Sequence, residues 1–309
     1  MGRQGCAADP TGLRSYVVGL IGSGVGSSLS PALHEREGAR QGLSYAYRTI
    51  DIATLNLAPE AAGDLVDAAR TLGFDGLNIT HPCKQLVLGH LDELSADAEA
   101  MGAVNTIVFT DGTAVGHNTD VTGFARSFAQ GLPDARTGTV VQLGAGGAGS
   151  AVAHALLRLG TDRLVLADAD SKRAERLART LRKRSEPGEV EHADLARLRE
   201  VVANADGVVN ATPLGMADHP GSAVPLELLR PDLWVADIVY RPLRTALVRA
   251  AEQAGCRVLT GAGMNIFQAV ESFALITGRQ PDQEAMFGDF EDLVALETAE
   301  EDRPQQGNR

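Results

Sequence analysis

The stretch VVQLGAGGAGSAVAHALLRLG, residues 140–160, joins a short apolar run to an alanine-rich helical run through a glycine-rich turn. Gly144, Gly146 and Gly149 stand at the G-x-G-x-x-G spacing. Glycines at this spacing allow a tight turn, close approach of the backbone to a pyrophosphate and tight packing of helix on strand. The helix N-terminus adds N–H groups and a positive dipole. The pattern predicts a dinucleotide-binding loop, with a merely structural tight turn as the alternative. The predicted loop consists of Gly144, Ala145, Gly146, Gly147, Ala148 and Gly149.

The next apolar run, RLVLADAD, strengthens this prediction because it ends in an acidic residue, Asp168, at about the 20-residue distance that the motif requires. A carboxylate there accepts hydrogen bonds from the adenosine ribose hydroxyls and repels a 2′-phosphate. NAD is therefore favoured over NADP as the cofactor. Lys172 and Arg173, which follow within a few residues, leave NADP open.

Short β-rich runs alternate with longer helical patterns along nearly the whole chain, which indicates the α/β class with parallel strands covered by helices on both faces. A chain of 309 residues is long enough for two domains, and the turn-rich segment GLPDARTG, residues 131–138, is the predicted boundary. In the first half we predict strands within 15–22, 44–51, 74–80, 103–110 and 113–118, and helices over 31–41, 59–72, 83–90, 95–101 and 120–130. In the second half we predict strands within 139–143, 163–170, 206–216, 233–240 and 256–263, a basic helix from 171, an apolar helix over 265–278 and a further helical stretch.

Composition narrows the class of partner. The formal net charge of −12 argues against nucleic acid, and the one dense basic run, residues 171–184, has the spacing of a solvated helix face. No segment approaches the roughly 20 apolar residues needed to cross a membrane, and no signal-peptide core opens the chain. Three scattered cysteines predict neither a disulfide framework nor a metal site. We therefore expect a cytoplasmic protein without a bound metal.

A second glycine-rich stretch, GLIGSGVGSSLSP from residue 19, does not have the dinucleotide spacing. It presents Ser28 and Ser30 before a predicted helix, and two hydroxyls with N–H groups at a helix start suit a small anion such as a carboxylate. Ser30 followed by Pro31 is typical of an N-cap with proline at the first helical position. An ordinary cap with no ligand is the alternative interpretation.

Lys84 differs from the other basic residues of the chain. Only three of the 28 are lysines, and the other two lie in the basic helix. Lysine, unlike arginine, can lose its proton near neutral pH. Lys84 follows a predicted strand end that carries Asn78 and Thr80, two short hydrogen-bonding side chains. A solvated helix residue is the alternative for Lys84.

The segment GAVNTIVFTDGTAVGHNTD, residues 102–120, contains two strand-like runs with polar clusters at their ends. Asn105 belongs to one cluster, and Thr119 and Asp120 belong to the other. If these clusters meet Lys84 at one sheet edge, a Lys–Asp pair can take and return the proton of a hydroxyl while a nicotinamide accepts hydride from the same carbon. Helix N-capping is the alternative for Asp120.

The ordered motifs SSLSP, NITHPCK, GAVNT, NTD, GAGGAG, NATPLGM, DIVY and GAGMNIFQ resemble those of the shikimate dehydrogenase family, in particular its quinate/shikimate dehydrogenases. The resemblance runs from about residue 16 to residue 290. It implies catalysis by Lys84 as general acid/base, with Asp120 as its partner. It implies a substrate-binding set of Ser28, Ser30, Asn78, Thr80, Asn105, Thr119, Tyr240 and Gln268, in which the two serines hold the substrate carboxylate. Besides the glycine-rich loop, it implies a cofactor-binding set of Asp168, Arg173, Thr212, Gly261 and Met264.

The resemblance further implies an α/β substrate domain over 14–122, completed by 265–298, and a Rossmann dinucleotide-binding domain over 123–264, with the active site in the cleft between them and tails at 1–13 and 299–309. The implied reaction is reversible oxidation of a ring hydroxyl, from shikimate to 3-dehydroshikimate, with quinate to 3-dehydroquinate as an additional activity.

Where NADP-dependent biosynthetic members have Asn-Arg-Thr, this chain has Asp168-Ala169-Asp170, which points to NAD and a catabolic or dual-substrate enzyme. Ser30 is the usual choice for shikimate, whereas some quinate-using relatives have threonine there. The alternatives are an NADP-dependent shikimate dehydrogenase, a dehydrogenase of an aminoshikimate-type analogue, a related tetrahydrofolate dehydrogenase and a non-catalytic dinucleotide sensor. A monomer and a homodimer are equally compatible with the sequence.

Overall fold

The computed structural model describes residues 15–183 and 188–301, and it divides into two compact α/β units. The first unit contains the described residues up to 95, residues 104–117 and the described residues from 269 onwards. The second contains residues 96–103 and 118–268. The predicted divisions stand at 122 and 264, whereas the units change after 117 and 268. Residues 96–103, predicted within the substrate domain, lie in the second unit, and so does the turn-rich segment 131–138, which was predicted as the boundary. The predicted tail 1–13 falls outside the described residues, whereas the final helix continues to Glu301.

The first unit is built on a six-stranded sheet in the order β2-β1-β3-β5-β6-β4. Its strands are β1 (Ser15–Gly22), β2 (Ser44–Asp51), β3 (Gly76–Ile79), β4 (Glu93–Leu94), β5 (Thr106–Thr110) and β6 (Thr113–His117). β1 is parallel to β2 and β3, but β5 is antiparallel to both β3 and β6. The expectation of parallel strands is therefore wrong for this sheet, which is mixed.

The turn between β5 and β6 explains the antiparallel pair. Asp111 and Gly112 both have positive φ, at 50° and 82°, and they join the two strands directly. An Asp-Gly pair with two positive φ angles is the strongest short hairpin signal, and a two-residue turn forces antiparallel pairing. The signal was present in the sequence as TDGT.

The helices of the first unit are α1 (Ser30–Arg40), α2 (Ala62–Thr71), the latter part of α9 (Gly261–Thr277) and α10 (Gln283–Glu301). The predicted helix over 83–90 is wrong, because this segment forms turns and ends in a 3-10 turn at Leu88–His90. The Lys84 carbonyl accepts from Val104 N at 2.9 Å, so a tertiary contact takes an acceptor that a helix would use. The predicted N-cap is also wrong: Leu29 occupies that position, and Ser30 is already the first helical residue.

The second unit has a fully parallel six-stranded sheet in the order β12-β11-β10-β7-β8-β9. Its strands are β7 (Thr139–Leu143), β8 (Arg163–Ala167), β9 (Glu189–His192), β10 (Gly207–Asn210), β11 (Trp234–Asp237) and β12 (Arg257–Leu259). Its helices are α3 (Ala96–Met101), α4 (Thr119–Gly131), α5 (Gly147–Arg158), α6 (Ser171–Arg182), α7 (Leu198–Ala203), α8 (Ala246–Gln253) and the start of α9. The sequence predicted that helices separate the strands of this unit, but it gave no bounds for α7 and α8, and it did not identify β9.

Two apolar clusters cover the faces of this parallel sheet. Val140 packs with α4, α5 and α6 in one cluster, and the adjacent Val141 packs with α7 and α8 in the other. Successive strand residues point to opposite faces, so a strand that is apolar at every position is buried on both. Among the described residues, no helix combines the length and apolarity that crossing a membrane requires.

Candidate functional site

Four strands of the first unit bring polar segments to one edge of their sheet. β1 and β3 end at this edge, and β5 begins there because it runs antiparallel to β3, with Asn78 paired to Thr106. β6 also ends there, with His117 paired to Thr106. The segments beside these strand ends carry five of the predicted residues: Ser28, Ser30, Thr80, Lys84 and Asn105.

The loop after β1 packs against the end of β3. A Cβ on Gly22 would overlap the Thr80 methyl group, so the close approach of the two segments requires glycine. Within the loop, Ser28 N donates to Val25 O at 3.0 Å, and Ser30 N donates to Ser28 Oγ at 3.3 Å. Ser28 and Ser30, both half-buried, are therefore held within one turn of the loop that follows β1.

Asp51, the last residue of β2, fixes this loop. Its carboxylate accepts from Gly24 N and from Val25 N, both at 3.1 Å, and from Ala53 N at 3.0 Å. Desolvation acts to raise the pKa of Asp51, but the backbone donors outweigh it and hold the pKa below its ordinary value. The charged carboxylate therefore persists at neutral pH and occupies two N–H groups of the loop.

Lys84 is half-buried and is tied to the start of β5 through its backbone. Its carbonyl accepts from Val104 N at 2.9 Å, and the adjacent Asn105 N donates to His117 O at 3.0 Å. Main-chain hydrogen bonds thus join the Lys84 segment to the Asn105 segment, and the Asn105 segment to the end of β6. Next to Lys84, burial raises the pKa of the Cys83 thiol, so this cysteine stays protonated at neutral pH and is not an activated nucleophile.

Asn78 is the centre of a buried polar network. Its Oδ1 accepts from the Tyr47 hydroxyl at 2.7 Å. Its Nδ2 lies 2.8 Å from Ser272 Oγ, 3.0 Å from Thr106 Oγ1 and 3.3 Å from Asn105 O. Both amide atoms are therefore already bonded within the protein, and only 7% of the residue is exposed.

In the second unit, the glycine-rich loop has the close contacts that its sequence predicts. Gly144 has φ of +100°, and a Cβ on it would overlap Ala211 O. A Cβ on Gly149 would overlap Gly144 O. The Gln142 side chain, which is fully buried, donates from Nε2 to Gly144 O at 2.8 Å and to Gly149 O at 2.7 Å, and so holds both ends of the loop.

The loop fits a dinucleotide at the N-terminus of α5. Gly146 is the N-cap and supplies no side-chain acceptor to the first helical turn. A Cβ on Gly146 or Gly147 would meet nothing within 4 Å, so open space lies in front of this helix end. Uncapped N–H groups, a positive dipole and open space are what a phosphate requires.

Asp168 follows β8 and is mostly buried, with 9% of the residue exposed. Its Oδ2 accepts from Ala145 N at 2.8 Å, and its Oδ1 accepts from Asp170 N at 2.8 Å. Arg173 Nη1 lies 3.9 Å from Asp168 Oδ2. The carboxylate thus ties the glycine-rich loop to the end of β8, and each oxygen retains one lone pair for a further donor.

The loops after β10, β11 and β12 complete this sheet edge. The Thr212 hydroxyl donates to Asn210 Oδ1 at 2.7 Å, and it accepts from Leu214 N at 3.1 Å. Tyr240 is half-buried in the segment after β11. A Cβ on Gly261 would overlap Ile238 O, so α9 begins directly against that segment.

α4 and α9 bring three more predicted residues together within the second unit. Thr119 Oγ1 donates to Gln268 O at 3.2 Å. A Cβ on Gly123 would lie 2.9 Å from Met264 O and 3.1 Å from Gln268 N, so glycine permits the close approach of the two helices. Thr119, Met264 and Gln268 therefore belong to one contact region.

Asp120 is not the N-cap that its alternative interpretation required. Asn118 holds that position, and its Oδ1 accepts from Asp120 N at 3.2 Å. Asp120 therefore lies in the first helical turn, where a carboxylate is favoured by the helix dipole, and 8% of it is exposed. Lys84 belongs to the first unit and Asp120 to the second, so their pairing remains a prediction.

Several residues that hold these segments were missed from the sequence, namely Tyr47, Asp51, Gln142, Asn210, Asp237 and Ser272. One signal was available for two of them: Asn210 and Asp237 are the polar last residues of the apolar strands GVVN and WVAD. Tyr47, Asp51 and Ser272 bond to segments far away in the sequence. Gln142 bonds to the nearby Gly144 and Gly149, but no local pattern marks it.

A parallel six-stranded sheet with a loop that fits a dinucleotide, beside a separate α/β unit in the same chain, defines a two-domain, dinucleotide-binding protein. Comparison with known proteins specifies the class further. Residues 20–107 match the model of the shikimate dehydrogenase substrate-binding domain, and residues 140–215 match that of the saccharopine dehydrogenase NADP-binding domain.

Relatives of known name match almost the whole chain. The shikimate dehydrogenase (NADP(+)) of Streptomyces avermitilis is 62% identical over 280 residues, which is 91% of this chain and 96% of the relative. The quinate/shikimate dehydrogenase (NAD(+)) of Corynebacterium efficiens is 50% identical, with 89% and 98% covered. Quinate dehydrogenase from Corynebacterium glutamicum, solved in complex with NAD, superposes with a TM-score of 0.86 at 47% identity, covering 90% of this chain and 99% of that one. The chain belongs to the shikimate dehydrogenase family, and it is an NAD(P)-dependent oxidoreductase of the shikimate/quinate dehydrogenase class.

Proposed function

We propose that this protein is an NAD-preferring shikimate/quinate dehydrogenase in which Lys84 and Asp120 handle the proton of the reacting ring hydroxyl. The observation that carries the proposal is the hydrogen bond from Val104 N to Lys84 O, which fixes the one lysine of the first unit beside Asn105. The sheet edge around it presents hydroxyl and amide groups suited to a polyhydroxylated ring. When bound, a nicotinamide dinucleotide supplies the hydride acceptor for the carbinol carbon.

The proposed proton step uses the chemistry of a lysine side chain. In the oxidative direction, the neutral amine of Lys84 accepts the hydroxyl proton at Nζ, and in the reductive direction the ammonium returns it. Asp120 is proposed to orient Nζ and to hydrogen-bond the same hydroxyl. Its place in the first turn of α4 holds the carboxylate at a fixed position on that helix.

The carboxylate of the substrate is proposed to bind at Ser28 and Ser30. Both hydroxyls are half-buried at the start of α1, and Asp51 occupies the N–H groups of Gly24 and Val25. The side-chain hydroxyls, rather than those N–H groups, are therefore the donors assigned to the substrate. Thr80 and Asn105, at the same edge, are assigned to the ring hydroxyls.

The preference for NAD rests on the two carboxylates at the end of β8. Asp168 holds the glycine-rich loop through Ala145 N and keeps a lone pair for a ribose hydroxyl. Asp170 adds a second negative charge beside the same strand end, where a 2′-phosphate would be repelled. The named NAD(+) relative and the NAD complex are consistent with this assignment.

NADP use is the second candidate. Arg173 lies 3.9 Å from Asp168, and Arg176 Nη2 lies 3.6 Å from Asp170 Oδ2, so two guanidinium groups stand at the same strand end. The Streptomyces avermitilis relative carries the NADP(+) name. If these arginines turn towards a 2′-phosphate, NADP will be accepted.

The test is a four-way initial-rate assay in which shikimate and quinate are each combined with NAD and with NADP. We expect kcat/KM to be roughly tenfold higher with NAD than with NADP. A tenfold ratio corresponds to about 1.4 kcal/mol of repulsion between the carboxylates and the 2′-phosphate. Asp168→Asn should lower the ratio of kcat/KM with NAD to kcat/KM with NADP. A higher kcat/KM with NADP would overturn the cofactor assignment, and absence of turnover in all four combinations would overturn the substrate assignment.

A further inference from the structure

A buried carboxylate outside the predicted site connects the loops at the ends of two strands in the second unit. Asp237 ends β11 and is 1% exposed. Its Oδ1 accepts from Asn210 Nδ2 at 2.9 Å and from Val239 N at 3.1 Å, and its Oδ2 accepts from Thr245 Oγ1 at 2.6 Å. Three segments thus converge on one side chain: the end of β10, the segment after β11 and the start of α8.

On the β10 side, the chain of contacts leads to Thr212. Asn210, fully buried, donates from Nδ2 to Asp237 and to Leu214 O, and its Oδ1 accepts from both Thr212 N and the Thr212 hydroxyl. All hydrogen-bonding groups of the Asn210 amide are therefore engaged. A change at Asp237 leaves one Nδ2 hydrogen of Asn210 without its acceptor, and the amide is then held only by its contacts to Leu214 O and Thr212.

On the β11 side, the contacts lead towards Tyr240. The bond from Val239 N to Asp237 fixes the residue immediately before Tyr240. A Cβ on Gly261 would overlap Ile238 O, so this segment also forms the surface on which α9 begins. The loop after β10 packs against Thr245, which is bonded to Asp237, because a Cβ on Gly215 would lie 3.2 Å from Thr245 Cγ2.

We propose that Asp237, acting through Asn210, is a positioning residue that sets the loop of Thr212 and the segment of Tyr240 in one fixed relation. A carboxylate suits this position because all its partners are donors, and a charged acceptor forms stronger hydrogen bonds than a neutral one. The proposal rests on the proposed function, which assigns Thr212 to the cofactor and Tyr240 to the substrate. A single change at Asp237 therefore alters the binding of both ligands.

Asp237→Asn is the main test, with Asp206→Asn as its matched control. Asp206 lies just before β10, at the opposite end of the strand, and its carboxylate likewise accepts a backbone bond, from Thr139 N at 2.9 Å. Both substitutions remove one charged acceptor from the same sheet. Only Asp237 reaches the loops of Thr212 and Tyr240.

Titration of the folded protein with NAD and NADP gives the dinucleotide Kd without turnover, and steady-state kinetics gives KM and kcat for shikimate. We expect Asp237→Asn to raise both the Kd and the KM roughly tenfold, with a smaller change in kcat, while Asp206→Asn changes only the melting temperature. If Asp237→Asn lowers the melting temperature but leaves Kd and KM at wild-type values, Asp237 is merely structural and the proposal fails.

A second variant covers the case in which Asp237→Asn does not fold. Thr245→Val removes one donor to Asp237 and keeps the shape of the side chain, and Thr245→Ser restores the donor. We expect the same joint rise of Kd and KM in Thr245→Val and its reversal in Thr245→Ser. Unchanged constants in a folded Thr245→Val would overturn the proposal. Absence of wild-type turnover with intact dinucleotide binding would instead count against the proposed substrate.

Discussion

Tyr47 donates its hydroxyl hydrogen to Asn78 Oδ1 at 2.7 Å, and both side chains are buried. The bond orients the Asn78 amide, so that Nδ2 faces Thr106 Oγ1 and Ser272 Oγ. Asn78 lies next to the strand end that leads to Thr80 and Lys84. The network therefore links the packed interior of the first unit to its predicted substrate groups.

Tyr47→Phe tests this link. The change leaves Asn78 Oδ1 without its buried donor, which costs about 1–3 kcal/mol of unfolding free energy. We also expect KM for shikimate to rise roughly fivefold to tenfold, because the amide is no longer held in one orientation. Steady-state kinetics and denaturant unfolding measure the two effects.

Tyr45→Phe is the matched control, since Tyr45 lies on the same strand and its hydroxyl is bonded to His34 Nδ1 at 3.0 Å instead. It should lose comparable stability with KM unchanged. Equal KM values in the two variants would show that the hydrogen bond from Tyr47 to Asn78 does not affect substrate binding.

Asp51→Asn weakens the hold on the loop that carries Ser28 and Ser30. A neutral amide offers one acceptor oxygen where the carboxylate offered two, so Gly24 N and Val25 N compete for it. We expect KM for the carboxylate-bearing substrate to rise roughly threefold to tenfold, with kcat little changed. Asp75→Asn is the control, because Asp75 also accepts a backbone bond to β1, from Val17 N, but lies near the opposite end of that strand. A KM that rises equally in both variants would contradict the role of Asp51.

Gln142→Met removes the donor that holds both ends of the glycine-rich loop. Gly144 O and Gly149 O each lose a buried partner, so we expect a loss of about 1–3 kcal/mol in unfolding free energy and weaker dinucleotide binding. Gln130→Met, on an exposed position of α4, should stay within about 0.5 kcal/mol of wild type. Denaturant titration and dinucleotide titration are the measurements, and a wild-type Kd in Gln142→Met would count against a role in shaping the loop.

His34 predicts a specific acid sensitivity. Burial lowers its pKa to about 3, whereas an unfolded histidine titrates near pH 6.5. Above pH 6.5 both states are neutral and His34 contributes no pH dependence. As the pH falls from about 6.5 towards 3, only the unfolded state takes up the proton, so the free energy of unfolding falls by up to about 1.4 kcal/mol per pH unit. Urea unfolding of His34→Gln should show a shallower slope over this range, and an identical slope would contradict a buried neutral imidazole.

The sequence anticipated the features that depend on local chemistry. Alternating strands and helices predicted the class, and the glycine spacing predicted a loop whose close contacts do require glycine at Gly144 and Gly149. The ends of β1 and β3 and the start of β5 lie at one edge of the sheet, as their directions and pairing show. That the polar residues beside them form one substrate site stays a prediction.

The features that failed depend on distant contacts. Residues 83–90 have helical spacing, but the Lys84 carbonyl bonds to Val104 N, and no periodicity reports that partner. The role of Asp168 as a ribose acceptor stays a prediction, but the sequence did not indicate that its oxygens also accept the backbone N–H groups of Ala145 and Asp170. Asp237 escaped notice because its partners come from three separate segments.

The most direct test of the central claim is the turnover of Lys84→Met, with Lys183→Met as the control. The chain has only three lysines, and Lys183 is exposed after α6, so the two variants remove the same charge from contrasting positions. Loss of a general acid/base predicts a fall in kcat of about 10²- to 10⁴-fold in Lys84→Met, with the dinucleotide Kd unchanged and Lys183→Met at wild-type rate. If Lys84→Met turns over shikimate and quinate as fast as the wild-type protein, Lys84 is not the proton-transfer group.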